Sequence, residues 1–571
     1  MPSNKNLKVV LFWHMHQPEY RDGITQQYQL PWTYLHAIKD YVDMAAILEQ
    51  QPAGRAVVNF VPILLEQIDD YARQARAFLD TQQAVNDPLL AALAAADFSL
   101  EPEQRLGLIK ASLRANEERL IHRFEPYHRL ADMMTFIDDN PDLLMYLGDV
   151  YLTDIVTWYH LAWLGETVRR GDERVSRLIE KRQAFSHADR LILFEVITEL
   201  LEGVIPRYRA LADNGQVELS MTPYAHPMIP LLLDFNSARE ALPESPLPKH
   251  TVYPGGKERA HWHVQHALES FEHFFGRRPR GCWPAEGGVS DGLVEVLADY
   301  PIDWIATGES PLRNSLAHSE EHRHGPMDKH LHRAYQIGGH GPACFFRDDG
   351  LSDLIGFTYS NWHGDDAVNN LIHHLETIAE ECGDDDNRVV AIVLDGENAW
   401  ESYPENGYHF LSTLYQLLGE HDSLDLTTFS RCLDDGLQPG QLSSVVAGSW
   451  VYGTFSTWMG DKDKNRGWDL LCEAKQAYDK AVTSDCLTAE QQQQAARQLA
   501  ICEGSDWFWW FGDYNPGDTV SDFERLFRSH LLALYNFIGM EAPAHLADVI
   551  SQGGGDPAQG GVMRPGQEAV S

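Results

Sequence analysis

Basic side chains are scarce in this chain of 571 residues: 45 Lys and Arg stand against 84 Asp and Glu, a formal charge of −39. Such a surface repels phosphate backbones and anionic lipid, which disfavours nucleic acid and membranes as partners. It suits a neutral or cationic partner, and adaptation to salt is a second source of the same charge. Cysteine is sparse too. The seven, at 282, 344, 382, 432, 472, 486 and 502, form no CxxC pair, so reduced thiols in a cytoplasmic protein are expected rather than a disulfide framework. No long uninterrupted apolar run is present: the most apolar stretch, Leu143 to Gly165, carries Asp149, Asp154 and His160 and reads as a core helix. The polar start, Met1 to Lys8, is followed by five apolar residues, too few for a signal-peptide core. There is no GxGxxG after a strand, no P-loop, no GxSxG elbow and no internal repeat, which removes the usual nucleotide and serine-hydrolase readings.

What is present is organised around Val389 to Leu394, six apolar residues that run into Asp395-Gly396-Glu397-Asn398-Ala399-Trp400-Glu401. A β-branched run of this kind reads as a strand buried on both faces of a parallel sheet. Its carboxyl end is then a rim where ligands bind. A plain turn into a helix is the alternative, and it leaves the tryptophan and the third acid unexplained. Further strands are expected at Leu7–Trp13, Ala56–Val61, Val217–Met221, Cys282, Trp304–Thr307, Cys344–Arg347, Ile355–Tyr359 and Leu424–Phe429. Residues 64–212 read as a helical insertion and Leu470–Ile538 as almost purely helical. The spacing predicts an α/β fold, a β/α barrel over 1–435 with that insertion, a helical domain over 436–550, and a disordered Gly- and Pro-rich tail over 551–571.

Two carboxylates, Glu286 and Asp395, stand at predicted strand ends beside glycine and near tryptophan. Paired acids with flat aromatic faces suit glycosidic chemistry: one attacks or stabilises the anomeric carbon, the other protonates the leaving oxygen. His14 and His16 alternate on a strand and share one face. They fit either a metal pair, with no third ligand identifiable from local spacing, or hydrogen bonding to a substrate. The histidines of 314–341, and His261, His263 and His266, read as solvated. Ser456 to Asn465 gathers acids but departs from a calcium loop and reads as a rim loop. The aromatics of Tyr151–Trp163 and of Trp507–Trp510 fit a helix core or a sugar-stacking wall.

In order along the chain, His16-Gln17-Pro18, Gly215-Gln216-Val217-Glu218-Leu219, Trp283-Pro284-Ala285-Glu286, Leu394-Asp395-Gly396-Glu397 and Ser505-Asp506-Trp507 resemble the five short regions of glycoside hydrolase family 57. The resemblance spans roughly residues 7 to 540. It implies an incomplete barrel of seven β/α units, a helical insertion and a helical bundle closing the cleft. It also implies a retaining mechanism on α-glucans such as malto-oligosaccharides, with no cofactor and no metal needed for the chemistry. By residue, it implies Glu286 as nucleophile and Asp395 as acid/base, with His14, His16, Glu218 and Glu397 on sugar hydroxyls and Trp283 and Trp507 stacking on rings, beside Asp506. Gln17 is nearer to the amylase-like members than to branching enzymes, so an α-amylase-like hydrolase is expected, with 4-α-glucanotransferase or branching enzyme of the same family as the alternative. Outside the family, two readings stay open: a metal-dependent α-mannosidase using His14 or His16 with acids such as Asp348, and a non-catalytic glucan-binding protein.

Overall fold

The computed structural model describes residues 7–138, 141–318, 327–383, 385–484 and 487–555, together with Met563, Arg564 and Gly566. Its strands are β1 Leu7–Met15, β2 Ala56–Phe60, β3 Val217–Met221, β4 Gly281–Cys282, β5 Trp304–Thr307, β6 Tyr335–Ile337, β7 Ala343–Phe346, β8 Val389–Asp395, β9 Leu424–Thr427 and β10 Gly440–Leu442. They lie in the order β10-β6-β7-β5-β4-β3-β2-β1-β8, with β9 also against β1. All neighbours are parallel except β6 and β7. A bridge from Arg347 to Ala391 brings the end of β7 back to β8, and the Asp348 N–H donates to the Ala391 carbonyl at 2.8 Å. Seven strands thus close on themselves through a single point of contact, an incomplete (β/α)7 barrel.

Period-two alternation builds both sides of this sheet. From β1, Leu11, Trp13 and Met15 turn outward into the main core beneath the helices. Val10 and Phe12 turn inward and meet Val57, Trp304, Ala306, Phe345, Ala391 and Val393 in a separate inner core. The inner core is a packed plug, as in other β/α barrels. β6 and β10 are short strands that the sequence reading omits. Conversely Ile355–Tyr359, expected as a strand, is helical: Asp348 caps the helix Asp349–Asp353, which runs on through tight turns to Asn361. The cap sets the local hydrogen bonding and overrides β-propensity.

Between β2 and β3 lies the helical insertion, from Pro62–Thr81 to His187–Asp213. Pro62 occupies the first turn of one helix, and Ser186 with Asp189 forms a capping box at the start of the other. The C-terminal helices are Lys462–Thr483, Ala489–Cys502, Asp506–Trp510 and Gly517–Phe537. The acidic loop before them serves as a cap, with Asp461 accepting from the Asp463 N–H. Among the described residues no helix is long and apolar enough to cross a membrane. The six described cysteines are free thiols; Cys486, His322 and His324 lie outside the described residues. In the tail, Ser551 to Gly555 are seated rather than loose: Ser551 Oγ accepts from Gly512 N–H, and the Gly554 and Gly555 N–H groups donate to the Asn515 carbonyl.

The C-terminal helices are fastened to the barrel by a buried ion cluster. Glu503 accepts from Arg259 at 2.8 Å, from the Tyr253 hydroxyl at 2.6 Å and from His263 Nε2 at 2.8 Å. His263, read from sequence as solvated, is fully buried here, and His332 is likewise buried against Asp348. In each case the acid partner is distant in sequence, so local spacing cannot reveal it. Burial would raise the Glu503 carboxyl, but Arg259 and His263 outweigh that and hold it down at about 2. Its stabilisation is therefore present above the ordinary value of 4.5 and lost as pH falls through about 2. Replacing Glu503 by alanine strands Arg259 without a counter-charge and is expected to cost about 3–5 kcal/mol. Urea unfolding of Glu503→Ala checks this, and an unchanged midpoint would remove the cluster from any role in docking.

Candidate active site

The inward-facing side chains change from apolar to polar at the carboxyl ends of β1, β2, β3 and β8. His14 lies in register with Asp395 on β8 and with Asn59 on β2, and Asn59 with Ser220 on β3. Of these, His14 and Asp395 line a cleft of about 330 Å³ whose walls include Glu286, Arg347, Trp450 and Asp506, with Asn59 and Ser220 buried behind them. Asn59 Oδ1 accepts from Thr222 Oγ1 at 2.9 Å and lies 2.7 Å from His14 Nδ1. An amide oxygen can only accept, so His14 carries its proton on Nδ1. Its Nε2 then accepts from His226 Nε2, 3.1 Å away, and His226 Nδ1 accepts from Ser505 Oγ at 2.8 Å. Burial keeps both imidazoles neutral, moving His14 down to about 3 and His226 well below the usual value.

His16 faces the same cleft, 2.8 Å from Asp506 Oδ1. Its ring stacks on His226 with centroids 3.8 Å apart and planes 24° from parallel. His16, His226 and Asp506 are the metal-capable trio among the described residues, their ligand atoms all within 4.8 Å of one another. The stacking works against that use. Imidazole donates in its own plane, so nearly parallel rings do not aim their lone pairs at one point, and both nitrogens of His226 are already bonded. Asp348, the acid that a metal-dependent reading would draw on, caps a helix and pairs with His332 instead.

Glu286 follows β4 with a left-handed backbone, φ 58°, and His226 has φ 60°. Such backbone is uncommon outside glycine and collects at functional sites. The Trp450 indole N–H donates to Glu286 Oε2 at 3.2 Å, and Ser505 Oγ stands 3.4 Å from Oε1. Burial, then the charges of Asp506 and Asp395, push the Glu286 carboxyl up to about 8. Asp395 rises to about 6 through burial, restrained by the Asn398 amide, His16 and Arg347. Next to it, Gly396 is required by packing, since a Cβ there would lie 2.1 Å from Met15 Sδ. Glu397 Oε1 receives Gln17 Nε2, the His16 N–H and the Tyr41 hydroxyl, whereas its buried Oε2 has no partner. Burial and Asp395 raise this carboxyl far above the ordinary range.

The structure therefore gathers His14, His16, Glu286, Asp395, Glu397 and Asp506 in one cleft. Three expected residues lie elsewhere. Glu218 is half-buried in the barrel, three positions before the end of β3, where it accepts from the Trp304 indole at 2.6 Å and the Ser430 N–H at 2.9 Å. Trp283 is fully buried beneath the site against Phe12 and Trp450, and Trp507 packs on Phe523 and Phe527. The cleft's aromatic faces are instead Trp32, Trp163, Trp450, Trp509 and Trp510. In the run Trp507–Trp510 the two possibilities divide, with Trp507 and Phe508 in the core and Trp509 and Trp510 toward the cleft. His226, Arg347 and Trp450 carried no motif in the sequence, although the register of β3 places His226 just beyond a strand end.

Glu218→Ala leaves the Ser430 N–H unpaired, while the Trp304 indole keeps Ser430 Oγ at 3.1 Å, so the expected cost is about 1–3 kcal/mol. Melting temperature should fall while turnover of the folded enzyme stays close to wild type; a selective loss of turnover would return Glu218 to the site.

Residues 10–444 match the profile of glycosyl hydrolase family 57. None of the curated proteins compared with the chain matches it by sequence. Among solved structures, the chain is similar to a family 57 branching enzyme of Thermococcus kodakaraensis, with TM-score 0.59 and 15% identity over 93% of this chain and 89% of that one. The branching enzyme of Pyrococcus horikoshii gives 0.57 and 16% over 95% and 97%. The α-amylase AmyC of Thermotoga maritima gives 0.55 and 13% over 93% of each chain. At these identities the likeness is one of fold, and the profile supplies the lineage. With a match over three quarters of its length and the barrel and cleft described above, this chain belongs to glycosyl hydrolase family 57.

Proposed function

We propose that the chain cleaves α-1,4-glucans with retention of configuration, in the manner of an α-amylase. Glu286 is the nucleophile and Asp395 the acid/base. The observation that carries this is the pair itself: two carboxylates from the ends of β4 and β8 in one aromatic-walled cleft, both with raised pKa values. Between about pH 6 and pH 8 the pair holds one proton, the count that double displacement needs, and in the empty cleft it rests on Glu286, the weaker acid of the two, so it must pass to Asp395 when substrate binds. Positive charge developing at an anomeric carbon beside Glu286 favours that group as the anion and leaves the proton on Asp395 for the departing oxygen. Glu286 then forms the glycosyl ester, and Asp395, now a base, activates the incoming hydroxyl. His16 Nδ1 and Glu397 Oε2, both without a partner, are left for sugar hydroxyls, His14 holds His226 in place, and Trp510 offers a face to a sugar ring.

Water as acceptor gives hydrolysis, and a glucan hydroxyl gives transfer with the same two carboxylates. The aromatic walls on both barrel and helical sides can hold a second sugar, which favours a glucanotransferase as the next reading. Products from maltoheptaose decide between them: new reducing ends mark a hydrolase, and longer chains without net reducing ends mark a transferase.

Glu286→Gln should lower turnover by about 10³-fold or more on every substrate. Asp395→Asn should do so on maltoheptaose but much less on an aryl α-maltoside, whose leaving group needs little protonation. Equal losses on both substrates in both variants would reverse or void the assignment. In wild type, kcat/KM should be bell-shaped with limbs near pH 6 and 8, since below the first both acids are protonated and above the second neither can donate. A flat profile across that window would separate the pair from the rate.

A further inference from the structure

The cleft has a wall that no motif announces. Met563 and Arg564, far from the barrel in sequence, line it. The Arg564 guanidinium lies over the Trp509 ring, 4.6 Å from its centroid, and 4.9 Å from that of Tyr514. It also donates to Thr457 Oγ1 and Asn515 Oδ1, each at 3.3 Å. Two residues on, the backbone is clamped on the opposite, barrel side. Gly566 N–H donates to Asp353 Oδ2 at 3.0 Å, and its carbonyl accepts from the Tyr452 N–H at 3.1 Å. A Cβ at Gly566 would stand 2.5 Å from the Asp349 carboxyl carbon, so only glycine lies flat there.

The seat is continuous with the catalytic pair. Asp353, which receives the Gly566 amide on one oxygen, receives Arg347 on the other at 2.6 Å. Arg347 lies over the Trp450 ring, whose indole holds Glu286. A cation over an indole occupies the same face that a sugar ring would take.

Resting on the α-glucan reading, we infer that Arg564 is a specificity-determining residue: seated by Gly566, it covers the Trp509 face, removes one sugar-stacking position from the cleft, and so biases this chain toward short malto-oligosaccharides. Arg564 belongs neither to the catalytic pair nor to the histidine floor. On this inference the uncovered Trp509 face adds a stacking position beyond the reach of a trisaccharide.

The test uses the full chain with Arg564→Ala and, separately, Gly566→Val, whose side chain has no room against Asp349. Two quantities are read: kcat/KM on amylose relative to maltotriose, and hydrogen exchange of the Tyr452 amide, which only the seated segment protects. We expect the amylose-to-maltotriose ratio to rise about five- to tenfold in both variants, the worth of one aromatic contact. Tyr452 exchange should quicken in Gly566→Val. Faster exchange with an unchanged ratio would overturn the specificity role, and an amide equally unprotected in wild type would overturn the seat. Should wild type leave every α-glucan untouched, the functional reading fails, and Tyr452 exchange still decides whether the segment is seated.

Discussion

The site depends first on strand register. Asp395, His14, Asn59 and Ser220 are consecutive partners across β8, β1, β2 and β3. Because side chains alternate, a slip of one residue in any pairing would carry its member of this belt to the outer face and bring an apolar residue in. The outer face is already filled by Leu11, Trp13 and Met15 under the helices. Burial of those large side chains therefore fixes, as a by-product, where the polar belt faces. The inner plug of Phe12, Trp283 and Trp304 then closes the barrel below it and gives the belt a dry floor.

A dry floor makes charge costly, and the residues present reflect that. Three imidazoles from two chain segments stack or touch without a cation among the buried pair, and the hydrogen bonds pass from Ser505 through His226 and His14 to Asn59. Five carboxyls line the cleft, and burial pushes those of Glu286, Asp395 and Glu397 upward. Low dielectric here sets the proton count of the whole group rather than the state of one acid. Arg347 lines the same cleft as a cation held in place by Asp349 and Asp353.

Legibility from sequence followed locality. The apolar run of β8, the paired acids and the order of the five short regions are local signals, and they located the barrel, Glu286, Asp395 and the helical insertion between β2 and β3. What the sequence left obscure is what depends on contacts between distant segments. Trp283 and Trp450 are equally plausible as platforms when read as letters, yet one is sealed in the inner core while the other holds Glu286. Glu218 sits beside a motif but at the wrong height on its strand, a distinction that needs the strand's length and end. His263 and His332 look solvated because their acid partners are distant along the chain.

His16 meets Asp506 across 490 positions of sequence, and Ser505 completes the line from His226 to Glu286. A ribosome releases the barrel strands long before it releases those two residues. During that interval His16 lacks Asp506 and His226 lacks Ser505. The imidazole line is therefore completed only when the last helices dock.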